Sequence, residues 1–123
     1  MSENRIYDLE ERTAVFGENI IKLLIKVPNT RIYNELISQL VRAGTGVGAN
    51  YREADDAVSK EYFKFKIGIC KKESRESKHF LRMIWNAEPG LKEEANALWQ
   101  EAKELNLISN AIINKIITRS NAI

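Results

Sequence analysis

Six basic residues share a spacing suited to holding a phosphate backbone. Lys60, Lys64, Lys71, Arg75, Lys78 and Arg82 recur at steps of 4, 7, 4, 3 and 4, with Gly68 filling the long step. On a helix that spacing gathers all six into one stripe about 30 Å long. No acidic residue interrupts it. An uninterrupted cationic stripe attracts phosphates without reading bases. Arg42 and Arg52, from the preceding helical stretch, are added to this candidate nucleic-acid site. The competing readings are an ordinary solvated face and a contact for an acidic protein surface.

Other candidate chemistry is poorly supported. Gly44-Thr45-Gly46-Val47-Gly48 invites a nucleotide reading. A dinucleotide fingerprint needs a preceding strand and a further glycine three residues on, and a phosphate loop needs Gly-Lys-Ser/Thr. The chain offers none of these. His79 is the only histidine and Cys70 the only cysteine. That argues against zinc and against a histidine-activated nucleophile, and it rules out an intrachain disulfide. Glu73 and Glu76 could act as acids or bases, but Lys66, Lys72 and Lys78 nearby make them read as helix-face ion pairs. Glu53, Asp55 and Asp56 cluster near the end of one helical stretch, yet a di-metal bundle needs Glu-x-x-His, which is absent. The expectation is a non-enzymatic protein with no catalytic residues, no metal and no cofactor. Cys70 falls on an apolar face, as a buried structural thiol does.

The elements that position these residues follow from apolar periodicity. Leu9, Thr13, Phe16, Ile20, Leu23 and Val27 mark helix 1 over about 8–27. Residues 1–7 read as a frayed arm, and Asp8 with Glu11 as a capping box. Thr30 is a candidate N-cap for a helix over 31–57. Ile37, Leu40, Gly44, Val47, Tyr51, Ala54 and Val58 carry one helical face straight through the glycines. Each glycine costs about 1 kcal/mol of helix propensity relative to alanine. Close backbone approach by a neighbouring helix explains why three are tolerated. Ser59 can cap a helix over 60–86, with Phe63, Ile67, Cys70, Ser74, Ser77, Leu81 and Ile84 as its core stripe. The small Ser74 and Ser77 are expected to face those glycines. After Glu88-Pro89-Gly90, Leu91, Ala95, Leu98, Ala102, Leu105, Ser109, Ile112 and Ile116 define a helix over 91–119. Short connections between four long helices predict an all-α, up-down-up-down antiparallel four-helix bundle in one domain, residues 1–123.

Composition agrees with that class. The chain has 123 residues, 44% hydrophobic and 29% charged, which suffices for a core without disulfides or metal. Its net charge of +2 argues neither for nor against nucleic acid, but residues 60–82 hold eight basic and three acidic residues. No apolar run reaches the roughly 18 residues that span a membrane. The N-terminus is polar and acidic, unlike a secretory signal, so a cytoplasmic location is expected. Apolar residues also exceed one bundle interior: Ile21, Leu24 and Ile25; Tyr62, Phe65, Ile69 and Phe80; Leu107, Ile108, Ile113 and Ile117. They predict a second buried surface, most simply a homo-oligomer interface. A broad core stripe is the alternative.

The motifs now described resemble a known family. Asp8-Leu9-Glu10-Glu11-Arg12-Thr13 with Phe16 comes first. Gln39-Leu40 precedes the run Arg42-Ala43-Gly44-Thr45-Gly46-Val47-Gly48-Ala49-Asn50-Tyr51-Arg52-Glu53-Ala54. Lys66, Ile69, Lys72-Glu73, Glu76 and Leu81 follow. Together they resemble the four-helix bundle proteins encoded in intervening sequences of bacterial 23S rRNA genes. Accessory proteins of diversity-generating retroelements are similar at greater distance. The likeness covers residues 8–86. It implies assembly into a homopentameric ring and an association with RNA or DNA, and supplies no catalytic residues. Ala43 and Gly46 stand where the family usually has serine, and His79-Phe80 replaces a more usual Tyr-Trp. The resemblance leaves two functions open: a nucleic-acid-binding oligomer, or a structural adaptor that binds a protein partner.

Overall fold

The computed structural model describes residues 2–121, with side chains from 9 to 119. Among the described residues it holds four α-helices: α1 (Ser2–Ile25), α2 (Arg31–Asp55), α3 (Lys60–Ala87) and α4 (Lys92–Asn121). A single 3-10 turn, Pro89–Leu91, leads into α4. No helix is long and apolar enough to cross a membrane.

Local chemistry sets the helix ends. The Tyr33 N–H donates to Thr30 Oγ1 at 3.2 Å and the Tyr62 N–H to Ser59 Oγ at 3.1 Å, so both expected N-caps form. Several boundaries differ from the sequence expectation, among them the end of α4, which reaches Asn121 rather than 119. α1 already begins at Ser2, so Asp8 lies inside the helix rather than capping it. α1 ends at Ile25, and Val27 is buried from the connection rather than from the helix. α2 ends at Asp55, leaving Val58 in the connection at 102% exposure. The apolar phase runs one step past the helix, because Ser59 already starts α3.

α1 and α2, and α2 and α3, meet in reversed residue order. From α1 to α2, Thr13 lies by Gly48, Gly17 by Thr45 and Ile20 by Gly44. From α2 to α3, Arg42 reaches Glu73 and Glu76, while the Cys70 thiol donates to the Val47 carbonyl at 3.4 Å. From α1 to α4, Arg12 forms a two-pronged pair with Glu101 at 2.6 and 2.7 Å. Phe16, Ile20, Leu23, Leu40, Val47, Leu81, Ile84, Leu98 and Leu105 form the main core, extended by Tyr51, Ile67 and Cys70. Each fully buried side chain of this size contributes about 1.5–3 kcal/mol.

Two of the three glycines of the run serve the α1–α2 crossing. A methyl built on Gly44 would stand 2.8 Å from Ile20 Cγ1, and one on Gly48 would stand 3.2 Å from the Thr13 carbonyl oxygen. Gly46 instead lies against Glu73 of α3, where a methyl would find ordinary contact at 3.4 Å. Ser74 and Ser77 are buried but do not supply the close approach expected of them at Gly44 and Gly48. Their hydroxyls donate back to the carbonyls of Cys70 and Glu73 in their own helix. Leu24, expected on the second apolar surface, belongs to the core instead. Ile21, Ile25, Tyr62, Phe65, Leu107 and Ile117 remain exposed, whereas Ile69, Phe80, Ile108 and Ile113 are half-buried.

Candidate nucleic-acid interface

Of the basic stripe of α3, Lys71 and Lys78 lie at the edge where it meets α4, whereas Arg75 lines a groove with Gln39 and Arg42 of α2. Lys60, Lys64, Arg75 and Arg82 are exposed, while Lys71 and Lys78 are half-buried in the seam between the helices. The Lys71 ammonium donates to Asn110 Oδ1 at 2.9 Å, and Asn106 Nδ2 donates to the Lys71 carbonyl at 2.8 Å. The Lys78 ammonium stands 5.4 Å from the Trp99 ring centroid, and Lys103 of α4 stands 5.9 Å from the same centroid. Among the described residues, none of the six stripe cations has a carboxylate within 4.0 Å.

Arg42 and Arg52 are placed differently. Arg42 pairs with Glu76 at 2.8 Å and with Glu73 at 3.3 Å. Its side chain is 54% exposed, whereas that of Glu73 is only 7% exposed. Hydrogen bonding to Glu76, with the charge of Glu73, holds the guanidinium above its ordinary pKa. Arg52 pairs with Glu10 of α1 at 3.1 Å. Neither arginine joins the α3–α4 seam. The ion-pair expectation for Glu73 and Glu76 is thus met mainly across helices, by Arg42. Lys72 adds a loose 3.9 Å contact to Glu76. Lys66 turns to Glu53, and Lys78 to Trp99.

α4 adds a stripe that the sequence reading missed. Lys92, Asn96, Trp99, Lys103, Asn106 and Asn110 recur at 4, 3, 4, 3 and 4, with no acidic residue among them. The signal was present in the spacing. It was hidden because only two of the six carry charge. Lys71, Lys78, Trp99, Asn106 and Asn110 show that the two stripes abut. The seam therefore offers ammonium, amide and indole groups side by side. Glu101, on another face of α4, is committed to Arg12.

The remaining sequence candidates take structural places. The glycine run is helical throughout. His79 is exposed, its ring edge-on to Phe80 at 5.2 Å. Among the described residues, no three His, Cys, Asp or Glu side chains are grouped to hold a metal ion. Burial pushes the Cys70 thiol up to about 12, so it is protonated and unreactive in the folded chain.

Comparison with known proteins places this geometry in a family. A crystal structure of a protein with unknown function from the S23 ribosomal protein family of Bacteroides thetaiotaomicron VPI-5482 is similar. Its TM-score is 0.75 at 26% identity, covering 85% of this chain and 97% of that one. No curated protein matches this chain. The family model described as 23S rRNA-intervening sequence protein matches residues 7–116. That span takes in most of α4, beyond the 8–86 stretch whose motifs carried the resemblance. The chain is a four-helix bundle that belongs to the 23S rRNA-intervening sequence protein family.

Proposed function

We propose that this chain is a non-enzymatic, cytoplasmic nucleic-acid-binding protein that grips an RNA or DNA backbone through the basic face of α3. The observation that carries the reading is the unpaired state of the stripe. Arg12, Lys26, Arg42, Arg52 and Lys66 each have a carboxylate partner. Lys60, Lys64, Lys71, Arg75, Lys78 and Arg82 have none among the described residues. Cations spaced along one helix face without counter-charge repel their neighbours, and a polyanion relieves that repulsion. Arg42 and Arg52 add long-range charge only, because their guanidinium groups are engaged within the bundle.

The reading includes an up-down-up-down antiparallel bundle that assembles into a homopentameric ring, repeating the seam five times. The reversed order of contacts between helices supports the first part. The exposed Ile25, Tyr62, Phe65 and Leu107 support a covered surface in an assembly. Light scattering that finds a monomer at micromolar concentration would remove the ring from the proposal.

Binding is expected to depend steeply on salt and weakly on sequence. Six phosphate contacts correspond to a log–log salt slope of about −4 for a single strand and about −5 for a duplex. The triple charge reversal Lys71→Glu, Arg75→Glu, Lys78→Glu should abolish RNA retention in a gel shift. Because Lys71 and Lys78 are half-buried, the exposed set Lys60→Glu, Lys64→Glu, Arg82→Glu serves as a second variant. Full retention by both well-folded variants sinks the reading. The rival adaptor role would place an acidic protein surface on the same basic stripe. It is favoured if a defined protein partner stays bound after nuclease treatment.

A further inference from the structure

The seam holds one group that phosphate binding does not use. Trp99 lies between the α3 and α4 stripes, half-buried against the main core. Lys78 reaches its ring from α3, and Lys103 reaches it from one turn further along α4. Two ammoniums converge on one indole, and neither has a carboxylate within 4.0 Å among the described residues. Each ammonium is drawn to the ring only weakly, and two like charges about one ring favour an anion beside them.

We infer that Trp99 is a stacking platform for an unpaired nucleobase, so that the seam takes single strands in preference to duplexes. This rests on the nucleic-acid reading above and adds what that reading lacks, a means of telling strand types apart. A lysine ammonium at a partly exposed ring is held only weakly by it. A flat base offers the ring a larger contact, while the two ammoniums swing to the phosphates on either side of that base. In a duplex the base faces are stacked inside the helix and cannot reach a ring set in a groove. The neighbouring Asn96, Asn106 and Asn110 follow the same spacing on α4. Asn110 accepts from the Lys71 ammonium and Asn106 donates to the Lys71 carbonyl, further along the same seam. The chemistry is that of sequence-tolerant single-strand binders, which combine a cationic track with aromatic faces.

The test uses the full chain with Trp85→Phe, leaving Trp99 as the only tryptophan. Its emission is followed as uridine or thymidine oligomers, a matched duplex, or inorganic polyphosphate is added. Stacking is expected to quench Trp99 with the oligomers. Polyphosphate should bind and compete without comparable quenching. Trp99→Leu should then weaken single-strand binding on the order of tenfold and leave duplex binding within about twofold. Equal quenching by polyphosphate overturns the inference, as does equal loss for single strand and duplex. Oligomer binding with no quenching also overturns it, but leaves the backbone reading intact. Failure to bind any of the three polyanions removes the nucleic-acid reading and this inference together. Trp99→Tyr, which keeps an aromatic face, should retain the strand preference, and loss of that preference in the folded variant overturns the inference.

Discussion

Replacing single glycines with alanine tests whether the run in α2 is a packing device. Four positions share the same intrinsic gain, because alanine exceeds glycine by about 1 kcal/mol in a helix interior. None of the glycines has a positive φ, so the backbone accepts alanine at each. The positions differ only in what the new methyl meets. At Gly68 nothing lies within 4 Å, so Gly68→Ala should show the whole gain. In a chain of this length that is a rise of about 3–5 °C in melting temperature. Gly46→Ala meets Glu73 at 3.4 Å and should keep most of the gain. Gly44→Ala meets Ile20 at 2.8 Å, and Ile20 is fully buried with no room to retreat. Overpacking of that kind costs about 1–3 kcal/mol, which leaves a net loss of up to about 2 kcal/mol after the propensity gain. Gly48→Ala meets main-chain atoms of Thr13 at 3.2 and 3.3 Å, so α1 itself must shift. Urea unfolding at several protein concentrations measures each change and separates it from subunit dissociation. The expected order of stability is Gly68→Ala, then Gly46→Ala, then wild type, with the Gly44 and Gly48 variants below it. If Gly44→Ala proves as stabilising as Gly68→Ala, close approach of α1 is not what those glycines serve.

Three further outcomes follow from the same structure. Arg42→Ala should destabilise the fold by about 1 kcal/mol in denaturant titration, because Glu73 is buried beside it. The same variant should leave RNA affinity within about twofold at fixed salt, and a large loss of affinity would move Arg42 into the binding seam. Cys70 has its thiol raised to about 12 from 9.0, chiefly by burial, so the folded state holds that proton more tightly than the unfolded state. Its contribution is therefore complete below pH 9 and fades as pH climbs towards 12. A thiol reagent at pH 8 should label Cys70 only as fast as the chain opens, and rapid labelling of the native protein would contradict the buried placement. Ser59→Ala and Thr30→Ala should each cost about 1 kcal/mol by loss of an N-cap, measured by thermal melting.

Much of the scaffold was legible because helices announce themselves locally. The apolar spacing through Gly44, Val47 and Tyr51 identified α2 as a helix despite its glycines. Thr30 and Ser59 marked two helix starts, and the stripe from Lys60 to Arg82 could be read directly. The misreadings share a cause. Asp8 and Val58 were placed by patterns that fit equally well on either side of a boundary. Helix ends depend on which cap wins, and Ser59 overrode the phase that reached Val58. Leu24 was assigned to an outer surface because periodicity gives a direction around the helix but not the breadth of the neighbour that covers it. The stripe on α4 went unseen because asparagine and tryptophan do not register in a count of charge.

By itself the sequence determined the four helices, their apolar faces, the acid-free basic stripe of α3 and the family motifs. These are properties of single segments, set by a period of 3.6 residues and by local capping. Tertiary structure decided which cations are spent within the bundle and which are left over. Arg42 and Arg52 are neutralised by Glu73, Glu76 and Glu10 because the register between helices brings those carboxylates to them. Lys71 and Lys78 meet amide and indole groups of α4 instead. It also decided that Gly44 and Gly48 face α1. Rotation and register between two helices depend on all the side chains packed between them, and no one segment carries that information.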